Sequence, residues 1–159
     1  MSASLPPLVK LTDFGNDWEV YLEELYQIYL DEVVNAGLTF RGSPLRVQFR
    51  PMTHSKAFGF WHLISEGEDE KERKPDLRRC ERVPWISWVI RNAESNPDIL
   101  WWENRRGSST HIVLWLKEEK FAVILAERGG YYLLKSAYSV APKREQTFER
   151  EWQRFWKKG

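Results

Sequence analysis

Three groupings of side chains in this sequence suit chemistry at a phosphate. His62 follows Trp61 and precedes a polar run, and imidazole is the usual general acid or base near neutral pH. Arg78, Arg79 and Arg82 lie close together, with Arg78 and Arg82 one helical turn apart. Arg105, Arg106 and Arg128 fall in two later turns, and a guanidinium grips phosphate oxygens two at a time. Lys135, Ser136 and Tyr138 close the segment Phe121–Val140, in which two apolar runs flank Glu127-Arg128-Gly129-Gly130. A Gly-Gly turn between such runs signals a hairpin, because glycine supplies positive φ angles. Strand alternation then puts Ser136 and Tyr138 on one face and Lys135 and Ala137 on the other.

Each grouping also has an ordinary reading. The arginines can pair with the acidic run Glu66–Glu72 and with Glu81 and Glu103, and a lone strand histidine is commonly just hydrogen-bonded. Together, though, they form the kit that cleaves RNA without metal. A 2′-hydroxyl attacks in line, one group takes its proton, another protonates the leaving oxygen, and cations hold the charge on phosphorus. A non-catalytic module that binds RNA or a protein through the same Arg/Trp surface is the alternative.

Other chemistries lack their signatures. There is no phosphate-binding glycine loop, dinucleotide fingerprint, CxxC or HExxH. Three histidines and one cysteine, far apart, argue against zinc, so neither a metal nor a cofactor is expected. Cys80 has cationic neighbours but no obvious base, and is read as a small buried apolar residue. Nine tryptophans read mainly as core. Trp61 and Trp102 are held open as stacking platforms for bases, because each adjoins a polar residue of interest.

The elements that must position these groups follow from pattern. The 159 residues are expected to form one domain, with a net charge of +1 that by itself points to no polyanionic partner. Residues 1–11 read as a tail or edge segment without a signal peptide, and the lone cysteine fits a reducing, cytoplasmic setting. No apolar run is long enough to cross a bilayer, so no membrane partner is expected. Helical spacing predicts a first helix over Asp13–Asn35. Two short strands, Leu38–Phe40 and Leu45–Phe49, should follow, then a strand over Phe58–Ile64. Residues 65–75 are expected to be an exposed charged loop. A middle helix opens at Pro75-Asp76, is broken or kinked at Pro84 and resumes over Trp85–Ala93. Strands Ile99–Glu103 and Thr110–Leu116 with the hairpin complete an antiparallel meander, and Glu145–Lys158 forms the last helix. The class is α+β, with about four meander strands packed by N-terminal, middle and C-terminal helices.

The runs FWHLISEG, PDLRRCERVPW, LWWENRRG and VILAERGGYYLLKSAYSV, spread over Phe60–Val140, resemble the phage-associated branch of the Barnase–EndoU–colicin–RelE-like nucleases. The resemblance implies a helix packed on a four-stranded antiparallel meander, with a metal-independent ribonuclease site on the sheet. It implies His62 as acid or base, Arg79 and Arg82 as phosphate contacts, and Ser136 and Tyr138 on the final strand. The late histidine and paired glutamate base of barnase-type members have no counterpart in these runs. A toxin-type activity of this kind implies RNA as substrate and an antitoxin, immunity or other protein as partner. In that expectation Lys135 joins the catalytic set, and Trp61, Arg78, Trp102, Arg105, Arg106 and Arg128 contact the substrate.

Overall fold

The computed structural model describes residues 4–67 and 73–157. It is an α+β fold in which helices cover both faces of a six-stranded sheet. The chain enters through a 3-10 turn, Leu11–Phe14, and turns at Gly15 with φ 63°. Helix α1 runs from Trp18 to Tyr29, the Asp17 carboxylate accepting from the Val20 N–H, and passes into a π-helical turn over Leu30–Val34. The single helix expected over Asp13–Asn35 is thus three pieces. Gly15 allows the first break, since it takes the left-handed conformation without a Cβ penalty.

Strands β1 (Thr39–Phe40) and β2 (Ser43–Arg46) form a short antiparallel pair. The next segment corrects an expectation: Phe58–Ile64 is helix α2, not a strand. Its aromatic content favours extended structure, but Gly59, Phe60, Leu63 and Ile64 are the buried positions, a helical spacing that turns one stripe onto Tyr26 and Tyr29. The loop expected over 65–75 begins and ends as a two-stranded ribbon, β3 (Ser65–Glu66) with β4 (Lys74–Pro75); its middle lies outside the described residues. Helix α3 (Leu77–Glu81) is capped by Asp76, and α4 (Val83–Asn92) starts directly after Arg82. Pro84 sits in the first turn of α4, where its missing N–H sacrifices no helical bond. Residues at the N-terminus are tied down, Val9 N–H donating to Glu81 O and the Trp85 indole to Pro6 O.

Strands β5 (Ile99–Arg106), β6 (Ser109–Leu116), β7 (Phe121–Arg128) and β8 (Tyr131–Ser139) pair antiparallel in succession, and helix α5 spans Pro142–Lys157. The sheet does not stop at these four strands. Its order is β1-β2-β8-β7-β6-β5, and β2 joins β8 in parallel, so the sheet is mixed. That pairing is non-local and invisible to a pattern that reads neighbours along the chain. It is also short, Leu45 opposite Tyr132 and Arg46 opposite Leu133, and it leaves the second half of β8 flanked by α2 and α3.

One sheet face carries Ile112, Leu114, Phe121, Val123, Leu125 and Leu134 into a core with α1, α2 and α4. The opposite face carries Trp102, Val113, Trp115 and Ala122 against Phe148 of α5. No helix among the described residues is long and apolar enough to cross a membrane.

Candidate functional site

The face under α5 is where the chemistry-bearing groups gather, and the ladder explains why. Across the strands, Leu100, Trp115, Ala122 and Tyr138 form one row, and Trp102, Val113, Ile124 and Ser136 the next. Asn104, His111, Ala126 and Leu133 form a third. The apolar members of the first two rows pack on α5, with Tyr138 at the rim of that cluster. Asn104, His111, Ser136 and Tyr138 are left half-buried.

Strand β8 reaches this arrangement through a bulge. Leu134 stands opposite Leu125, but Ser136 stands opposite Ile124, so Lys135 drops out of the ladder. An extra residue of this kind reverses the alternation beyond it. Before the bulge the even positions Tyr132 and Leu134 enter the main core, and after it the odd position Ala137 does. Ser136 and Tyr138 therefore share the α5 face, while Lys135 is freed from strict alternation. Lys135 lines a cleft of about 150 Å³ with Gln48, Phe58, Gly59 and His62 of the α2 region. It also acts electrostatically on His111.

Tyr138 is the centre of the charge arrangement. Burial raises its phenol pKa, and Arg144, Arg106 and Arg79 oppose that rise, while Glu151 adds to it. The phenol is thus held protonated, and the charges of three arginines, from α5, β5 and α3, act on it. The Arg79 guanidinium carbon lies 5.9 Å from the centre of the ring. Arg79 is itself a strained cation: burial lowers its pKa, and Arg73 lowers it further. Its Nη1 donates to Ser65 O at 2.6 Å, and Asp76 Oδ2 lies 3.7 Å from its Nε. Arg106, Lys135 and Arg144 have no carboxylate partner among the described residues.

Glu151 is the carboxylate on this rim. Its Oε1 accepts from the Trp102 indole N–H at 3.2 Å, and the Asn104 amide lies 3.5 Å from both oxygens. Those two groups fix its orientation from the sheet side. His111 stands one row beyond Ser136. Its pKa is lowered first by burial and then by Arg106, Lys135 and Arg128, so it is a neutral imidazole at neutral pH.

The residues singled out by sequence divide accordingly. Arg79, Arg106, Lys135, Ser136 and Tyr138 come together on or beside this face, and Arg128 borders it next to Ser109 at 3.4 Å. His62 stacks on Phe58, its ring centre 5.9 Å away, and shares its cleft with Lys135. Arg82 lies over the Trp85 ring at 5.0 Å and pairs with Glu81 at 3.4 Å, away from Tyr138. Arg78 is exposed and gives its carbonyl to Arg82, and Arg105 reaches Thr110. Trp61 donates its indole N–H to Thr53 O and packs on Phe60. Trp102 is fully buried between Trp115 and Phe148, so its ring faces are covered and offer no base a platform.

Sequence reasoning singled out none of Arg144, Glu151 and His111. A signal for the first two exists: Arg144, Phe148, Glu151 and Phe155 follow a 4-3-4 spacing and share one stripe of α5. Cys80 is fully buried, and burial pushes its thiol up to about 12, which removes it as a nucleophile. Among the described residues no three His, Cys, Asp or Glu side chains cluster as metal ligands. No protein-family model, curated protein or solved structure matches this chain.

Proposed function

We propose that this protein binds RNA on the α5 face of its sheet and cleaves it without a metal ion. The observation that carries the reading is Arg79 set over the Tyr138 ring at 5.9 Å, with the charges of Arg106 and Arg144 and one carboxylate, Glu151, acting on the same protonated phenol. Arg106 and Arg144 are exposed and have no carboxylate partner among the described residues, and such cations suit a phosphodiester, which supplies the missing negative charge and accepts several N–H bonds at once.

The chemistry divides among these groups as follows. Glu151 takes the proton of the RNA 2′-hydroxyl, and the 2′-oxygen forms a bond to phosphorus. The bond from phosphorus to the 5′-oxygen breaks, and Tyr138 gives its proton to that leaving oxygen. Arg79, Arg106 and Arg144 stabilise the charge that builds on the phosphoryl oxygens. The products are a 2′,3′-cyclic phosphate and a 5′-hydroxyl. His62 and Lys135 extend the surface beside this centre, where the next nucleotide of the chain would lie.

The test is cleavage of a mixed RNA panel in EDTA. The wild type is expected to leave 2′,3′-cyclic ends, and Glu151→Gln and Tyr138→Phe to lower kcat/KM by about 10²- to 10⁴-fold, the usual worth of a positioned acid or base. His62→Ala should leave kcat nearly intact; a comparable collapse in that variant would move the acid or base to the adjoining cleft. Tight RNA binding without cleavage would favour the non-catalytic reading, which the indole and amide bonds already occupying Glu151 support. Failure to bind RNA at all would overturn both. A toxin-type role adds an inhibitory protein whose acidic surface covers these arginines.

A further inference from the structure

A second feature lies away from the arginines, where the end of α4, the start of β5 and the C-terminal turn of α5 enclose a cleft of about 330 Å³. Three indoles line it: Trp101, Trp152 and Trp156. Trp156 stands edge-on to Trp101, with ring centres 5.1 Å apart and an interplanar angle of 80°. Its indole N–H donates to Trp101 O at 2.6 Å, which fixes the ring although the residue is half-exposed. Two perpendicular indoles and a third beside them line the cleft, and an aromatic ring face carries the negative end of the quadrupole.

The remaining lining adds charge of the same sign. Glu94 borders the cleft, and its Oε1 accepts from the Arg41 backbone N–H at 3.0 Å. Asp98 lines the adjoining cleft, which shares Trp152 with this one and also holds Lys117. The cleft also receives the C-terminal end of α4, the negative pole of that helix. Trp101 already holds one cation: the Arg41 guanidinium lies 5.3 Å from its ring centre and is neutralised by Glu103 at 2.8 Å.

We propose that this cleft binds a quaternary ammonium group. Indole faces attract an organic cation, and Glu94 supplies the counter-charge. A free lysine ammonium has three N–H groups to satisfy, whereas the cleft offers one carboxylate and rings. A methylated nitrogen needs no hydrogen bonds and fills the ring-lined space with its methyl groups. This site is independent of the arginine face and stands or falls without it.

The experiment is titration of the full chain with choline and with a trimethyllysine peptide, followed through the indole N–H resonances. Three of them, from Trp101, Trp152 and Trp156, should move saturably. The neutral isostere 3,3-dimethylbutanol should bind at least tenfold more weakly. Trp156→Leu should weaken choline binding about tenfold, and Glu94→Gln, which keeps every ring, about threefold. Saturation by choline alone or by the peptide as well distinguishes a small molecule from a modified protein as the source of the group. Equal binding of the isostere, movement of those three resonances by adenosine instead, or no saturable movement would overturn the proposal.

Discussion

Tyr138 and His111 lie within reach of the same arginine, Arg106, and burial acts on them in opposite senses. Burial raises the phenol pKa because it disfavours the phenolate, and lowers the imidazole pKa because it disfavours the imidazolium. Both groups stay neutral in the folded protein. For His111 this has a consequence for stability. Its folded pKa lies below the ordinary 6.5, so the unfolded chain binds the proton more readily. The contribution is complete above about pH 6.5 and is lost as the pH falls through the folded value. Denaturant unfolding should therefore show wild type losing more stability between pH 7 and pH 5 than His111→Gln does. Added polyanion should narrow that difference, since it supplies the charge that makes protonation acceptable beside Arg106, Lys135 and Arg128.

Elements, rather than single residues, decide how close the two sides of the site come. Helix α2 reaches the edge of β8 because Gly59 lets its backbone lie against the Val47–Phe49 segment. Its N–H donates to Gln48 O at 2.8 Å. A Cβ at Gly59 would stand 3.0 Å from Gln48 O and 3.1 Å from the Tyr29 hydroxyl. Gly59→Ala should accordingly cost about 1–3 kcal/mol, the usual range for an overpacked site, and lower Tm by several degrees in a thermal melt. The same change should push α2 off β8 and open the cleft that His62 shares with Lys135. The bulge at Lys135 is the other deciding element. It places Ser136 and Tyr138 on the α5 face while Tyr132 and Leu134 enter the main core, whereas an unbroken strand would turn all four to one face.

At the scale of the molecule, a net charge of +1 hides a strong segregation of charge. Lys117 and Lys120 are paired with Glu149 and Glu145 of α5, which leaves Glu151 as the acidic residue of that helix turned to the sheet. Its inner rim keeps Arg144 facing Tyr138. Three phosphate contacts on single-stranded RNA correspond to a slope of about −2 in log K against log salt. Arg144→Ala should reduce that slope by about 0.7, as read from fluorescence anisotropy at several salt concentrations. An unchanged slope in that variant would place the phosphates elsewhere.

The sequence by itself determined the α+β class and the final helix, and marked strand segments within a sheet that proved six-stranded and mixed, because such features rest on local rules. Alternation, a Gly-Gly turn and a 3.6-residue apolar stripe act between neighbours along the chain. It also marked Arg79, Arg106, Lys135, Ser136 and Tyr138 as suited to one chemistry. Only the tertiary structure decided which of the marked residues meet. Trp102 entered the core because α5 brought Phe148 over it, Arg82 turned to Trp85, and Phe58–Ile64 became a helix because packing on Tyr26 and Tyr29 outweighed the extended preference of its aromatics. Arg144 and Glu151 joined the site from a helix that reads as an ordinary amphipathic cover. The parallel pairing of β2 with β8 links residues more than eighty positions apart, and no local pattern encodes it. The candidate site is built from such non-local pairings, so some of its residues could be marked in the sequence while Arg144, Glu151 and the assembly itself could not.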